Sequence, residues 1–83
     1  MSSKNENIAA RVMEAIAAQL ELPLEEVRPE SSFAEDLKAD SLTVMELVLA
    51  LEDTFDVAAS DEEIDWLRTV KDAIKFVEER VGA

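Results

Sequence analysis

The sequence predicts an all-α fold: a small bundle of three main helices plus one short helix, with a long loop between helices 1 and 2. Three observations predict it. Apolar residues recur at helical spacing over three segments. Capping residues precede these segments and a short fourth one. No segment sustains strand alternation, and one Gly and two Pro leave few turn residues. The 83 residues are expected to form one domain, 1–83, with 1–3 and 82–83 frayed. A chain of this length buries a modest core and is marginally stable.

The first helix is expected from Lys4 to Leu20. Ser3 and Glu6 make a capping box, and Ile8, Val12, Ile16 and Leu20 form the buried stripe. Residues 21–39, with Pro23 and Pro29, read as a long, mostly non-helical connection. Leu22, Leu24, Val27, Phe33 and Leu37 can pin it to the core, and a helical turn fits Ser32 to Asp36. The second helix begins at Asp40 as N-cap and runs to Phe55 or Asp56. A third, short helix opens on the capping box Ser60-Asp61-Glu62-Glu63 and ends near Trp66 or Leu67. The last starts with Thr69 as cap and Asp72 in its first turn. It buries Val70, Ile74, Val77 and Val81 and stops at Gly82.

Charge and composition bound the function. Eight basic and 20 acidic residues give a net charge of −12. From Glu30 to Asp65 there are twelve acids and one base, Lys38, a local net of −11. Such a field repels nucleic acid and anionic membranes and attracts proteins with basic patches. There is no cysteine to build a disulfide, no apolar run of membrane-spanning length, and no secretory signal in residues 1–7. The expectation is a cytoplasmic monomer that neither inserts in membranes nor binds nucleic acid.

The second helix carries two apolar faces. Val44, Leu47, Val48, Leu51 and Phe55 fall within about a 100° arc, an ordinary core stripe. Leu42, Met45 and Leu49 form another stripe roughly opposite. Glu46 and Asp53 flank it, and Glu52 and Asp56 lie on or near it. Either another element covers this second face, or it is a docking surface of a few apolar contacts framed by acids. Methionine suits docking because its flexible side chain adapts to several partners.

The means of catalysis are missing. Without His or Cys there is no triad and no thiolate. Asp61-Glu62-Glu63-Ile64-Asp65 lacks the spaced ligands and central Gly of an EF-hand, so no metal site is expected. No Gly-rich loop cradles phosphate. Ser41 is different in kind. It follows the N-cap Asp40 in the run Asp36-Leu37-Lys38-Ala39-Asp40-Ser41-Leu42, where free N–H groups and the helix dipole favour a phosphate ester. On position alone, an ordinary polar residue at a helix start is an equal reading.

Asp40-Ser41-Leu42, Glu46-Leu47, Ala50-Leu51-Glu52 and Phe55-Asp56 resemble the acyl carrier proteins of type II fatty acid synthesis. The similarity extends through Ser32-Phe33 and Glu35-Asp36-Leu37 upstream, and through Asp61-Glu62, Thr69-Val70 and Ala73-Ile74 downstream. It covers about residues 8 to 80 without gaps. The resemblance implies a carrier, not an enzyme. Ser41 would bear 4'-phosphopantetheine, attached by a phosphopantetheinyl transferase that uses coenzyme A, and the arm's thiol would hold acyl chains as thioesters. Such a cofactor supplies the sulfur that this chain lacks. The resemblance also implies an acyl cavity lined by Phe33, Leu47, Leu51, Ile64, Leu67 and Ile74. Leu42, Met45, Glu46, Leu49, Glu52, Asp53 and Asp61 would meet basic patches on acyl-processing enzymes.

The chain departs from the family pattern at four places. Lys38 stands where Gly is usual, Thr43 where an acid is common, and Ala59-Ser60 where Ile-Pro is usual. Trp66, the only Trp, replaces a polar residue; it either packs on the third helix or meets cargo or a partner. These differences suggest a specialised carrier. A discrete polyketide or aminoacyl carrier and an unmodified acidic helical adaptor remain alternative readings.

Overall fold

The structure is a computed structural model that describes residues 4–81, with side chains from Ile8 onward. Its helices are α1 (Lys4–Leu20), α2 (Ser41–Phe55), α3 (Asp61–Trp66) and α4 (Val70–Val81), with a 3₁₀ turn at Leu24–Glu26 that the sequence did not suggest. Among the described residues there is no strand, only an isolated antiparallel bridge between Ser32 and Thr69. The expected Ser3–Glu6 capping box and the stop at Gly82 lie outside the described residues.

Alpha-1 packs against α4 and α2. Ile8, Val12 and Ile16 of α1 meet Leu47 and Leu51 of α2 and Val70, Ala73, Ile74, Phe76 and Val77 of α4 in one core. Val12, Ile16, Leu51, Val70 and Val77 are wholly buried. Two expectations for α4 change. Val81, near the helix end, is 39% exposed, while Phe76 turns into the core. The Cα radius of gyration is 11.7 Å, against about 12 Å for a compact chain of this length, so the long loop is folded onto the helices.

That loop is held by backbone as much as by side chains. Val27, Phe33, Leu37 and Ala39 are buried, whereas Leu24, expected to pin the loop, is half exposed. The Ser31 carbonyl accepts the Val70 N–H (3.0 Å) and the Pro29 carbonyl accepts the Lys71 N–H (2.9 Å). The Phe33 N–H donates to the Arg68 carbonyl at 3.0 Å. Two orphan N–H groups of the first turn of α4 are thus satisfied by the loop. Asp72 accepts the N–H groups of Arg68 and Thr69, and Thr69 Oγ1 accepts the Asp72 N–H. At Ser32–Asp36 the expected helical turn is a single one, closed by the Asp36 N–H on the Ser32 carbonyl; Ser32 Oγ accepts the Glu35 N–H and Asp36 Oδ2 accepts the Ser32 N–H.

Among the described residues three non-glycine ones adopt the left-handed conformation: Glu21 (φ 57°), Lys38 (φ 58°) and Asp56 (φ 56°). Glu21 ends α1 in a Schellman motif, with Leu22 N–H on the Ala17 carbonyl and Glu21 N–H on that of Ala18. Asp56 also ends α2 in the left-handed conformation, but there its N–H and that of Val57 both reach the Glu52 carbonyl. Lys38 has another use, at the approach to α2.

Candidate functional site

Ser41 is the first residue of α2. The chain reaches it through a tight reversal. Ala39 N–H donates to the Phe33 carbonyl at 2.7 Å, and the N–H groups of Asp36 and Leu37 both donate to the Ser32 carbonyl. Leu37 and Ala39 are buried and Lys38 between them is exposed, an arrangement set by its positive φ. Asp40 then takes an extended conformation and caps α2, its Oδ1 accepting the Thr43 N–H at 2.8 Å. That N–H, with a smaller contribution from the Thr43 side chain, holds the Asp40 carboxyl below its ordinary value. Asp40 is thereby confirmed as the N-cap, and Ser41 is left exposed at a helix N-terminus.

A groove of about 830 Å³ opens beside Ser41. Its walls are the Ser32–Glu35 turn, the start of α2 with Val44 and Met45, and α3 with Asp61, Ile64 and Asp65; Leu67 and Thr69 close its end. Ligand pockets commonly span about 300–1,000 Å³. Of the residues expected to line a cavity, the structure brings Phe33, Ile64 and Leu67 to this groove. Leu47, Leu51 and Ile74 lie in the closed core, with Phe33 touching both regions. Phe33 is 2% exposed, so it forms a floor between groove and core.

The second face of α2 is uncovered in the monomer. Leu42 is 64% exposed, Met45 50% and Leu49 61%, and Glu46 and Asp53 are exposed beside them. Glu52 differs from this group: it is half-buried and its Oε2 accepts the Ala59 N–H at 2.7 Å, tying the α2–α3 connection to α2. Asp61, exposed at the start of α3, faces the groove.

Alpha-3 buries no residue fully and is held from outside. Its capping box is complete: Ser60 Oγ accepts the Glu63 N–H and Glu63 Oε1 accepts the Ser60 N–H. Glu63 also pairs with Arg80 of α4, whose Nε donates to the Ala58 carbonyl at 3.3 Å. The Ser60 N–H first, and Arg80 after it, keep the Glu63 carboxyl below its ordinary value. Sequence reasoning missed Arg80, because its partners lie 17 and 22 residues away. Trp66 is 77% exposed and borders a smaller hollow between α3 and α4, so it is not packed onto its helix. Among the described residues no cluster of three or more acidic groups could hold a metal ion, and no helix is long and apolar enough to cross a membrane.

The site suits a phosphate ester carrying a flexible arm. Ser41 is accessible, the first-turn N–H groups of α2 face its end of the helix, and an apolar-sided groove begins next to it. Comparisons with known proteins agree with that chemistry. Residues 10–77 match the family model described as a phosphopantetheine attachment site. The acyl carrier protein of Thermosynechococcus vestitus is 47% identical over 76 residues, 92% of this chain and 94% of that protein. A solved structure of the acyl carrier protein from Enterococcus faecalis superposes with a TM-score of 0.75 at 31% identity, covering 94% of this chain and 99% of that one. With the all-α architecture and the exposed serine at the head of α2, these matches mean that the chain belongs to the acyl carrier protein family, carriers that bear a phosphopantetheine attachment domain and are not catalysts.

Proposed function

We propose that this protein carries acyl chains as thioesters on a 4'-phosphopantetheine arm esterified to Ser41, and delivers them to enzymes of fatty acid or related lipid synthesis. The observation that carries the reading is the placement of Ser41: exposed, first in α2, and on the wall of the groove floored by Phe33. In attachment, the Ser41 oxygen forms a bond to a phosphorus of coenzyme A, the pyrophosphate P–O bond breaks, and the nucleotide half leaves. The Ser41 proton passes to solvent or to a base of the transferase, since this chain has no histidine to take it. The arm supplies the thiol for thioester chemistry.

The residues of this chain orient the arm and receive its partners. Asp40 fixes the start of α2 and with it the direction of the Ser41 side chain. Phe33, Ile64 and Leu67 offer apolar surface to a chain entering the groove. Leu42, Met45 and Leu49, framed by Glu46 and Asp53, suit the basic patches of a transferase and of acyl-processing enzymes. Glu52 serves that surface indirectly, by holding the α2–α3 connection through Ala59.

The test is intact mass after incubation with coenzyme A and a broad-specificity transferase. One added phosphopantetheine is expected on the wild type and none on Ser41→Ala. No gain on the wild type would instead indicate an unmodified acidic adaptor.

A further inference from the structure

A cation stands three residues before Ser41. Lys38 is the only base between Glu30 and Asp65, in a stretch with twelve acids. Its side chain is exposed, and among the described residues it forms no ion pair, although Glu35, Asp36 and Asp40 are close in sequence. Two of these neighbours are engaged elsewhere: Asp36 accepts the Ser32 N–H and Asp40 the Thr43 N–H. Lys38 also occupies a backbone conformation, φ 58°, that glycine adopts without steric cost. Nothing in packing requires a lysine there, since the buried contacts of the turn come from Leu37 and Ala39.

We propose that Lys38 is the counter-ion of the phosphodiester on Ser41, holding it against the start of α2; this rests on the reading of Ser41 as the attachment site. Three Cα steps separate the two residues, at most about 11 Å. The flexible four-carbon stem of lysine closes such a gap from one end and the ester linkage from the other. The left-handed turn leaves that stem exposed between two buried neighbours, three residues before the exposed Ser41. Attachment adds a negative charge beside a stretch that already carries a local net of −11 and in which Lys38 is the only base; Arg68, also exposed, borders the groove from the far side of that stretch. The pairing narrows the directions in which the arm leaves the protein and makes Lys38 a positioning residue for the cargo.

The experiment compares the full chain with and without phosphopantetheine in four forms: wild type, Lys38→Arg, Lys38→Gln and Lys38→Gly. Lys38→Gln keeps the side-chain bulk and loses the charge; Lys38→Gly also relaxes the backbone. Intact mass is read first. Failure of every form to gain the arm would overturn the reading of Ser41 itself. With the arm in place, the ³¹P resonance of the phosphodiester is recorded from about 0.01 M to about 1 M salt, where the screening length falls from about 30 Å to about 3 Å. Wild type and Lys38→Arg are expected to share a resonance distinct from that of Lys38→Gln and Lys38→Gly at low salt, converging at high salt. The Lys38 ¹⁵Nζ resonance is expected to move on loading. Coincident ³¹P resonances in wild type and Lys38→Gln at low salt, with an unmoved Nζ, would overturn the proposal while leaving attachment at Ser41 intact.

Discussion

The Ala39 N–H donates to the Phe33 carbonyl at 2.7 Å, and that bond closes the turn which places Lys38 at φ 58°. A single backbone bond therefore joins the floor of the groove to the residue that sets the entry into α2. Substituting Lys38 by Gly relieves about 1–2 kcal/mol of left-handed strain and adds about 0.4–1 kcal/mol of unfolded-chain entropy. The expected net is a stabilisation of about 0.5 kcal/mol, a rise in Tm of about 2–4 °C. Thermal melts at high salt check it, where loss of a positive charge from an acidic surface counts least. Lys38→Ala, equally strained, should show no rise.

Removing the cap at Asp40 is expected to lower Tm by a few degrees and to disorder the start of α2. Asp40→Ala leaves the Thr43 N–H without its acceptor. The pH dependence has a definite sign. Because the folded carboxyl lies below the ordinary 3.8, its contribution is complete above that value and disappears as pH falls through the lower folded value. Glu63 behaves likewise, below its ordinary 4.5. The Tm difference between wild type and Asp40→Asn should therefore shrink in acid and stay constant toward neutrality.

The two caps were readable from sequence because they are local. Asp40 reaches three residues along the chain, and Ser60 and Glu63 satisfy each other across the same spacing. Thr69 and Asp72 were readable for the same reason. The support of α4 by the Ser31 and Pro29 carbonyls was not, since any residue presents a carbonyl and only the fold brings loop and helix together. Leu24 and Val27 look alike in composition, yet Val27 is buried and Leu24 half exposed, because the 3₁₀ turn rotates one inward and the other out. At the site, Ser41 and the two-faced α2 followed from pattern. The division of the expected cavity between an open groove and a closed core did not, because it depends on where α3 sits.

Alpha-3 is expected to loosen when Arg80 is replaced by Ala. The change removes the pair with Glu63, the bond to the Ala58 carbonyl and the stacking of the guanidinium over Phe76, 5.0 Å from its centroid. The groups are partly exposed, so global stability should fall by less than about 1 kcal/mol. Amide hydrogen exchange should accelerate in Asp61–Trp66 well before it does in α1 or α4. Uniform acceleration across all helices would mean that Arg80 supports the core instead.

Charge reversal at Glu46 and Asp53 is expected to cut transferase kcat/KM by at least about tenfold, or about 1.4 kcal/mol, with Tm nearly unchanged. Both side chains are exposed beside Leu42, Met45 and Leu49. Glu52→Lys should behave differently and lower Tm as well, because it breaks the bond that holds Ala59. Unchanged kinetics in Glu46→Lys/Asp53→Lys would remove this face from partner recognition.

Where the acyl chain rests is decided by comparing groove and core variants. Phe33 and Leu67 border both the groove, where Ile64 lies, and the closed core of Leu47, Leu51 and Ile74. If the chain lies in the groove, loading a long acyl group buries apolar surface there and raises Tm. Ile64→Trp and Leu67→Trp should then abolish that rise, while unloaded Tm changes little because both positions are only half-buried. Leu51→Ala, at a wholly buried site, should cost about 2–5 kcal/mol whether or not cargo is present. A rise on loading that persists in the tryptophan variants and is altered by Leu51→Ala would instead place the chain past Phe33, between α1, α2 and α4. Calorimetry on loaded and unloaded forms separates these outcomes, because groove filling and core expansion change opposite members of the set.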